Sequence, residues 1–88
     1  MARESDTSLD AALFGRAVRL LRGERGWSQE LLAEKADLNR TYVGEVERGD
    51  VVPSILTAAK LADAFGVRLS IVMARCESLA RPREYTHF

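Results

Sequence analysis

The stretch that most constrains the fold is residues 28–49, SQELLAEKADLNRTYVGEVERG, which predicts two short helices joined by a tight turn. Ser28 is a good N-cap for the first helix, because its hydroxyl can accept a hydrogen bond from a free backbone N–H group in the first turn. The step Asp37–Asn39 interrupts the apolar spacing, since Asp and Asn side chains compete for backbone hydrogen bonds. Asn39 then caps a second helix, which Gly49 ends. Two helices with so short a joint predict a helix-turn-helix.

One further helix is predicted before this unit and one after it. Helix 1 is expected to begin at a cap near Thr7 or Ser8 and to run to about Glu24, and helix 4 is expected to run from Ile55 to Phe65. Apolar residues at helical spacing predict the buried faces of these two helices. The residues expected to be buried are Leu13, Phe14, Ala17, Val18, Leu20, Leu21, Ile55, Ala58, Ala59, Ala62 and Phe65.

The segment VRLSIVMARCESLA, residues 67–80, fits two patterns. Leu69, Val72, Met73 and Cys76 follow helical spacing, with Ser70 as a cap, whereas every second residue from 67 to 73 is apolar, as in a strand. We favour a fifth helix, because the length of the segment suits one. The predicted fold class is therefore all-α, with a domain over residues 9–80 between a flexible N-terminus, 1–8, and a flexible tail, 81–88.

Composition excludes several classes of protein. The chain is 47% hydrophobic and 30% charged, which is typical of a globular domain. It contains no apolar run long enough for a membrane span or a signal peptide, so we expect no membrane partner and a cytoplasmic protein. Cys76 is the only cysteine and His87 the only histidine, and there is no glycine-rich phosphate loop. We therefore expect no enzyme, no metal site and no cofactor.

A helix-turn-helix can place its second helix in the major groove of DNA, but the charge pattern of this chain is unusual for nucleic-acid binding. Lys plus Arg equals Asp plus Glu, 13 of each, and residues 28–52 carry three positive and six negative charges. Non-specific DNA affinity comes mainly from the neutralisation of phosphates. We expect such affinity to be weak here, so that binding depends on a few well-placed arginines.

Four groups of residues at fixed offsets carry a resemblance to a known family: Trp27-Ser28-Gln29, Leu32-Ala33, Arg40-Thr41-Tyr42-Val43 and Glu47-Arg48-Gly49. From about Phe14 to Val67 the chain resembles the XRE, or Cro/C1-type, helix-turn-helix family, and within it the small controller-type regulators of restriction–modification systems. The resemblance implies a five-helix, lambda-repressor-like domain that binds double-stranded DNA and regulates transcription. It places the base-reading positions at Arg40, Thr41 and Glu45.

The residue types at these positions suit base reading. The guanidinium of Arg40 can bond O6 and N7 of guanine together, and Thr41 offers a hydroxyl to a base edge or a methyl group to thymine. Glu45 can accept a hydrogen bond from cytosine N4; otherwise its charge repels phosphate and sharpens the rejection of wrong sites. The residues expected to contact the DNA backbone are Gln29, Asn39, Tyr42 and Arg48.

Two expectations concern structure and assembly. The resemblance pairs Arg22, late in helix 1, with Glu47 in a structural ion pair. Apolar residues on helices 4 and 5 are expected to form a homodimer interface, namely Leu56, Ile71, Val72 and Leu79, because a two-fold dimer doubles the DNA contacts. The alternative function is a protein-interaction module, such as an antitoxin or an anti-regulator, that holds a protein partner with or without DNA.

Overall fold

The computed structural model describes residues 10–80, which form five α-helices and no strand. In chain order these are α1 (Ala11–Arg25), α2 (Gln29–Ala36), α3 (Arg40–Arg48), α4 (Ile55–Phe65) and α5 (Leu69–Ala80). The predicted all-α class is confirmed, and so is the choice of a helix over a strand after residue 67. The predictions for 1–8 and 81–88 fall outside the described residues. None of the five helices is long and apolar enough to cross a membrane.

The helix caps follow local sequence, with two corrections. The side chains of Ser28, Asn39 and Ser54 cap α2, α3 and α4 as their residue types predict. Helix α1 begins later than predicted, because the carboxylate of Asp10 caps it by accepting a hydrogen bond from the Leu13 N–H group at 2.8 Å. Residues 7 and 8 lie outside the described part of the chain. Ser70 is not a cap either, because α5 already begins at the preceding residue.

The core is a single apolar cluster to which every helix contributes. Its largest fully buried side chains are Leu32, Leu61, Val18, Val43, Val46, Val72 and Cys76. Two side chains predicted to be buried are exposed instead. Leu20 faces outward on α1, and Ile55 lies one turn before the first buried residue of α4, so that it projects beyond the edge of the core. The buried stripe of α4 is completed by Leu61, which the sequence interpretation missed.

Trp27 joins the ends of three helices. Its ring stacks on that of Phe65, with centroids 5.6 Å apart and an angle of 9° between the ring planes. The guanidinium of Arg25 lies over both rings and donates a hydrogen bond to the Phe65 carbonyl at 2.6 Å, while the Lys35 ammonium lies 4.9 Å from the centre of the Trp27 ring. These cation–π contacts fix the end of α1 and the start of α2 against the end of α4.

Candidate nucleic-acid interface

The turn between α2 and α3 is three residues long, and its conformation is set by Asp37. This residue has a positive φ of 57°, the left-handed conformation that Asp tolerates better than most residues. The next N–H group, of Leu38, donates to the carbonyl of Ala33 at 2.8 Å, which ends α2. The Leu38 side chain packs half buried against the core, and Asn39 starts α3. The predicted helix-turn-helix is therefore formed by α2 and α3.

Helix α3 presents a polar face to solvent and buries the opposite one. Val43 and Val46 are 0% and 1% exposed, whereas Arg40 and Thr41 are exposed in the first turn and Glu45 is half-exposed one turn later. Residues four apart share one helical face, so Thr41 and Glu45 are neighbours. Arg40 makes no ion pair with any residue between 10 and 80. The three residues predicted to read bases thus lie together on one accessible edge of a packed helix.

Helix α1 crosses the far end of α3 at very short range, and Gly15 makes this crossing possible. A Cβ atom on Gly15 would overlap the Val46 carbonyl oxygen and lie 2.7 Å from that of Glu47. Where α3 ends, a Cβ atom on Gly49 would lie 2.9 Å from Cα of Ala12. Sequence reasoning missed this function of Gly15, since a glycine inside a helix otherwise indicates only a weaker helix. The contact fixes the orientation of α3 relative to the rest of the fold.

The predicted pair between Arg22 and Glu47 lies beside this crossing. Arg22 donates from Nε to Oε2 of Glu47 at 2.6 Å and from Nη2 to Oε1 at 2.9 Å, and its Nη1 donates to the Trp27 carbonyl at 2.9 Å. The Glu47 side chain is only 3% exposed. The hydrogen bonds to Glu47 raise the pKa of the Arg22 guanidinium above its ordinary value, so the guanidinium stays charged.

Gln29 and Arg48 converge on Gly44 of α3. The Gln29 amide donates from Nε2 to Oε1 of Glu47 at 3.0 Å. A Cβ atom on Gly44 would lie 3.2 Å from Nη1 of Arg48 and 3.6 Å from Oε1 of Gln29. Gly44 is therefore buried beneath these two side chains, although helical spacing predicts it to face outward. Arg48 also donates from Nε to Oδ2 of Asp50 at 2.9 Å, a partner that sequence reasoning did not identify.

The other two residues predicted to contact the DNA backbone are partly engaged within the protein. The Asn39 side chain uses its Oδ1 to accept the Thr41 N–H group at 2.7 Å, which leaves the NH₂ of the amide for other partners. Tyr42 is half-buried and packs against the core. Both still flank the exposed first turn of α3.

The predicted dimer surface needs a correction. Val72 is fully buried in the core of its own chain and cannot lie in an interface, and Leu79 packs half buried against that core. Leu56 and Ile71 are exposed, as predicted. Val52 and Ile55 are exposed as well. Helical spacing alone could not tell the buried apolar residues of α5 from the exposed ones, because it does not say which side of α5 meets α1 and α4.

The rest of the described chain carries little reactive chemistry. Burial raises the pKa of the Cys76 thiol above its usual value, which disfavours the reactive thiolate. Among residues 10–80, no three His, Cys, Asp or Glu side chains are placed to hold a metal ion.

The five-helix fold and the exposed edge of Arg40, Thr41 and Glu45 on α3 define a helix-turn-helix DNA-binding regulator of transcription. Comparison with known proteins gives the family: the chain belongs to the Helix-turn-helix family whose model matches residues 18–72, and the resemblance to XRE-type proteins is confirmed. It is 42% identical over 57 residues to the control protein C.BamHI of Bacillus amyloliquefaciens, covering 64% of this chain and 70% of that one. It is 37% identical over 59 residues to the immunity repressor of Bacillus phage phi105, covering 67% of this chain but only 41% of the repressor. Among solved structures it is similar to the restriction–modification controller C.AhdI of Aeromonas hydrophila, with a TM-score of 0.69, 40% identity and coverage of 70% and 94%.

Proposed function

We propose that this protein is a sequence-specific transcriptional regulator that reads a near-palindromic operator as a homodimer, with α3 in the major groove. The observation that carries the proposal is the exposed edge formed by Arg40, Thr41 and Glu45, on a helix held on its other side by the core and by α1. A rigid helix with polar side chains on its outer face is what direct reading of base edges requires.

Each residue of the edge has a distinct role in this proposal. Arg40 bonds O6 and N7 of guanine, Thr41 contacts a neighbouring base edge or a thymine methyl group, and Glu45 accepts from cytosine N4. Gln29, Asn39, Tyr42 and Arg48 contact sugars or phosphates and fix the register of the helix on the duplex. The proposal contains no catalytic step, metal or cofactor, and it places the protein in the cytoplasm with its DNA.

The homodimer is proposed to form through an exposed apolar surface of Val52, Ile55, Leu56 and Ile71. Val52 and Ile55 also line a groove of about 550 Å³, whose apolar lining includes Phe14, Ala58, Leu69 and Met73. Exposed apolar side chains gathered at such a groove are typical of an interface. One copy reads few base pairs, and two copies related by a two-fold axis would read half-sites about one helical turn, ~34 Å, apart.

The names of the relatives support a role in regulation. One relative is an immunity repressor, another is a control protein, and a third is a restriction–modification controller protein. We infer that this chain acts similarly, as a controller of a neighbouring gene set or as a repressor that regulates its own gene.

Selection of bound sequences from random duplex DNA tests the proposal. We expect a near-palindromic motif with two equal half-sites, and an Arg40→Ala variant should lose about 1–3 kcal/mol of discrimination at one base pair of each half-site. Gel filtration of Arg40→Ala gives the control, because an exposed substitution should leave the fold and the oligomeric state unchanged. Recovery of no preferred sequence would refute the proposal. Copurification of another protein, bound through residues 81–88, would favour the protein-interaction module instead.

A further inference from the structure

Arg48 is one of only three basic residues between 28 and 52, and in the free protein its guanidinium is already paired with a carboxylate. The other two are Lys35, which lies over the Trp27 ring, and Arg40, which is unpaired within the described residues. Arg48 forms an ion pair with Asp50, from Nε to Oδ2 at 2.9 Å. The α3 face therefore offers DNA two cations, one of which is neutralised by a carboxylate of the same chain.

Asp50 is held in place by the backbone. Gly49 adopts a left-handed conformation with φ of 78°, which turns the chain back at the end of α3. The Asp50 N–H group then donates to the Glu45 carbonyl at 2.9 Å. This bond anchors Asp50 next to the last turn of α3, so that its carboxylate lies close to the Arg48 guanidinium.

The pair can exchange for another anion. The two side chains are 61% and 55% exposed, and ion pairs in water at this level of exposure are weak. Arg48 uses only Nε for Asp50, and its Nη1 lies above Gly44, next to the Gln29 amide. A phosphate oxygen on the solvent side of these two side chains would meet the guanidinium and the amide together. Arg–phosphate contacts of this kind are strong and directional.

We propose that Asp50 sets the selectivity of the interface, by neutralising Arg48 until a correctly placed DNA phosphate takes its place. The inference rests on the proposed DNA-binding function. On an unrelated sequence the protein docks loosely and Arg48 stays with Asp50, so it neutralises no phosphate. On the operator, base contacts by Arg40 fix the register, and a phosphate then lies over the Arg48 and Gln29 side chains, competes with the Asp50 carboxylate for the guanidinium and displaces it. Asp50 thus weakens non-specific binding more than specific binding.

The test compares Asp50→Asn with the wild-type protein on the selected operator and on an unrelated duplex, across a series of KCl concentrations. If Asp50→Asn frees Arg48 to neutralise one more phosphate, the slope of log K against log salt concentration for non-specific binding should become steeper by about 0.9. Relative to 1 M salt, that slope corresponds to roughly eightfold tighter non-specific binding at 0.1 M salt. Operator binding should tighten by less than about threefold, since the wild-type protein already releases Arg48 there. The ratio of specific to non-specific affinity should therefore fall.

Two controls separate this effect from a change in net charge. Glu77→Gln removes the same charge from an exposed position on α5, which packs on α1 and α4, and should change neither affinity. In an Arg48→Ala background, Asp50→Asn should give no gain on the unrelated duplex. The inference is overturned if Asp50→Asn behaves like Glu77→Gln, or if its gain survives the loss of Arg48. A wild-type protein that does not distinguish the two duplexes would instead refute the proposed function itself.

Discussion

The guanidinium of Arg22 binds the carboxylate of Glu47 through two hydrogen bonds, at 2.6 and 2.9 Å, and thereby joins α1 to the last turn of α3. The same carboxylate accepts the Gln29 amide from the first turn of α2. A single side chain, 3% exposed, therefore links the three helices that set the geometry of the exposed edge of α3. Its three acceptor contacts satisfy the charge that burial would otherwise penalise.

Removal of Glu47 should destabilise the fold strongly. In Glu47→Ala, Arg22 is left as a poorly solvated cation without its partner, and we expect a loss of about 3 kcal/mol in the free energy of unfolding. Urea unfolding followed by circular dichroism measures this change. The matched control is Glu24→Ala, which breaks the exposed pair between Glu24 and Arg75 and should shift the midpoint much less. Equal shifts for the two variants would contradict the structural role of Glu47.

The pair between Glu24 and Arg75 should contribute to stability in a pH-dependent way. The hydrogen bond from Arg75 lowers the pKa of Glu24 below its ordinary value of 4.5. The stabilisation is therefore fully present above pH 4.5 and is lost as the pH falls through the lowered pKa of the folded state. The urea midpoint of Glu24→Gln should lie below that of the wild-type protein at neutral pH and meet it in acid. Glu77→Gln is the control, because it removes a carboxylate that has no ion pair among the described residues. If Glu77→Gln lowers the urea midpoint by the same amount and with the same pH dependence, the pair between Glu24 and Arg75 is not the cause of the effect.

Two glycines of α1 should respond in opposite ways to the same substitution. Gly15→Ala places a methyl group against the backbone oxygens of α3, which cannot move without displacing the helix, and should destabilise by about 2 kcal/mol. A methyl group on Gly23 would meet no atom of another described helix within 4 Å, so Gly23→Ala should stabilise by about 0.5–1 kcal/mol through helix propensity. Thermal unfolding of both variants provides the comparison. A stabilised Gly15→Ala protein would show that α1 and α3 do not cross this closely.

The local features of the fold could be predicted because they depend on neighbouring residues. The caps at Ser28, Asn39 and Ser54 need only a side-chain oxygen and a free N–H group nearby. The apolar spacing of residues 67–76 fits both a helix and a strand, and it is the length of the segment that favours the helix found there. The pair of Arg22 with Glu47 spans 25 residues, and it is the family resemblance that implies it, not spacing.

The features that could not be predicted depend on where helices cross. Periodicity gives each helix an apolar side but not its neighbour, so we expect Val72 in an interface and Ile55 in the core, whereas the structure buries Val72 and exposes Ile55. Gly15 allows the close crossing with α3, and Gly44 lies beneath the side chains of Gln29 and Arg48. Both features depend on atoms that lie on other helices or other turns, so the local sequence does not show them. The partner of Arg48 depends on the reversal of the chain at Gly49, which turns Asp50 back toward α3.

The proposed dimer should depend on Leu56. Its side chain is 75% exposed, so a charge there should leave the folded monomer intact but be buried without a partner in the dimer. We expect Leu56→Glu to be monomeric in sedimentation equilibrium at concentrations where the wild-type protein is dimeric, and to bind the full operator more weakly. Leu20→Glu, at another exposed leucine on α1, should leave the dimer unchanged. A wild-type protein that stays monomeric at high micromolar concentration would remove the dimer from the proposal.

Glu45 should determine both base preference and the rejection of wrong sites. Its half-exposed carboxylate lies one turn beyond Thr41 on the exposed edge of α3, and in the proposed function it either accepts from cytosine N4 or repels phosphate. Glu45→Gln keeps the shape but removes the charge and adds a donor. We expect the variant to bind all duplexes more tightly and to shift its preference from cytosine toward adenine at one position in each half-site, since an amide bonds N6 and N7 of adenine. Repeating the random-duplex selection with the variant measures both effects. Glu34→Gln, which changes an exposed carboxylate on α2, is the control and should leave the selected sequence unchanged. If Glu45→Gln also selects an unaltered motif, Glu45 does not belong to the base-reading residues.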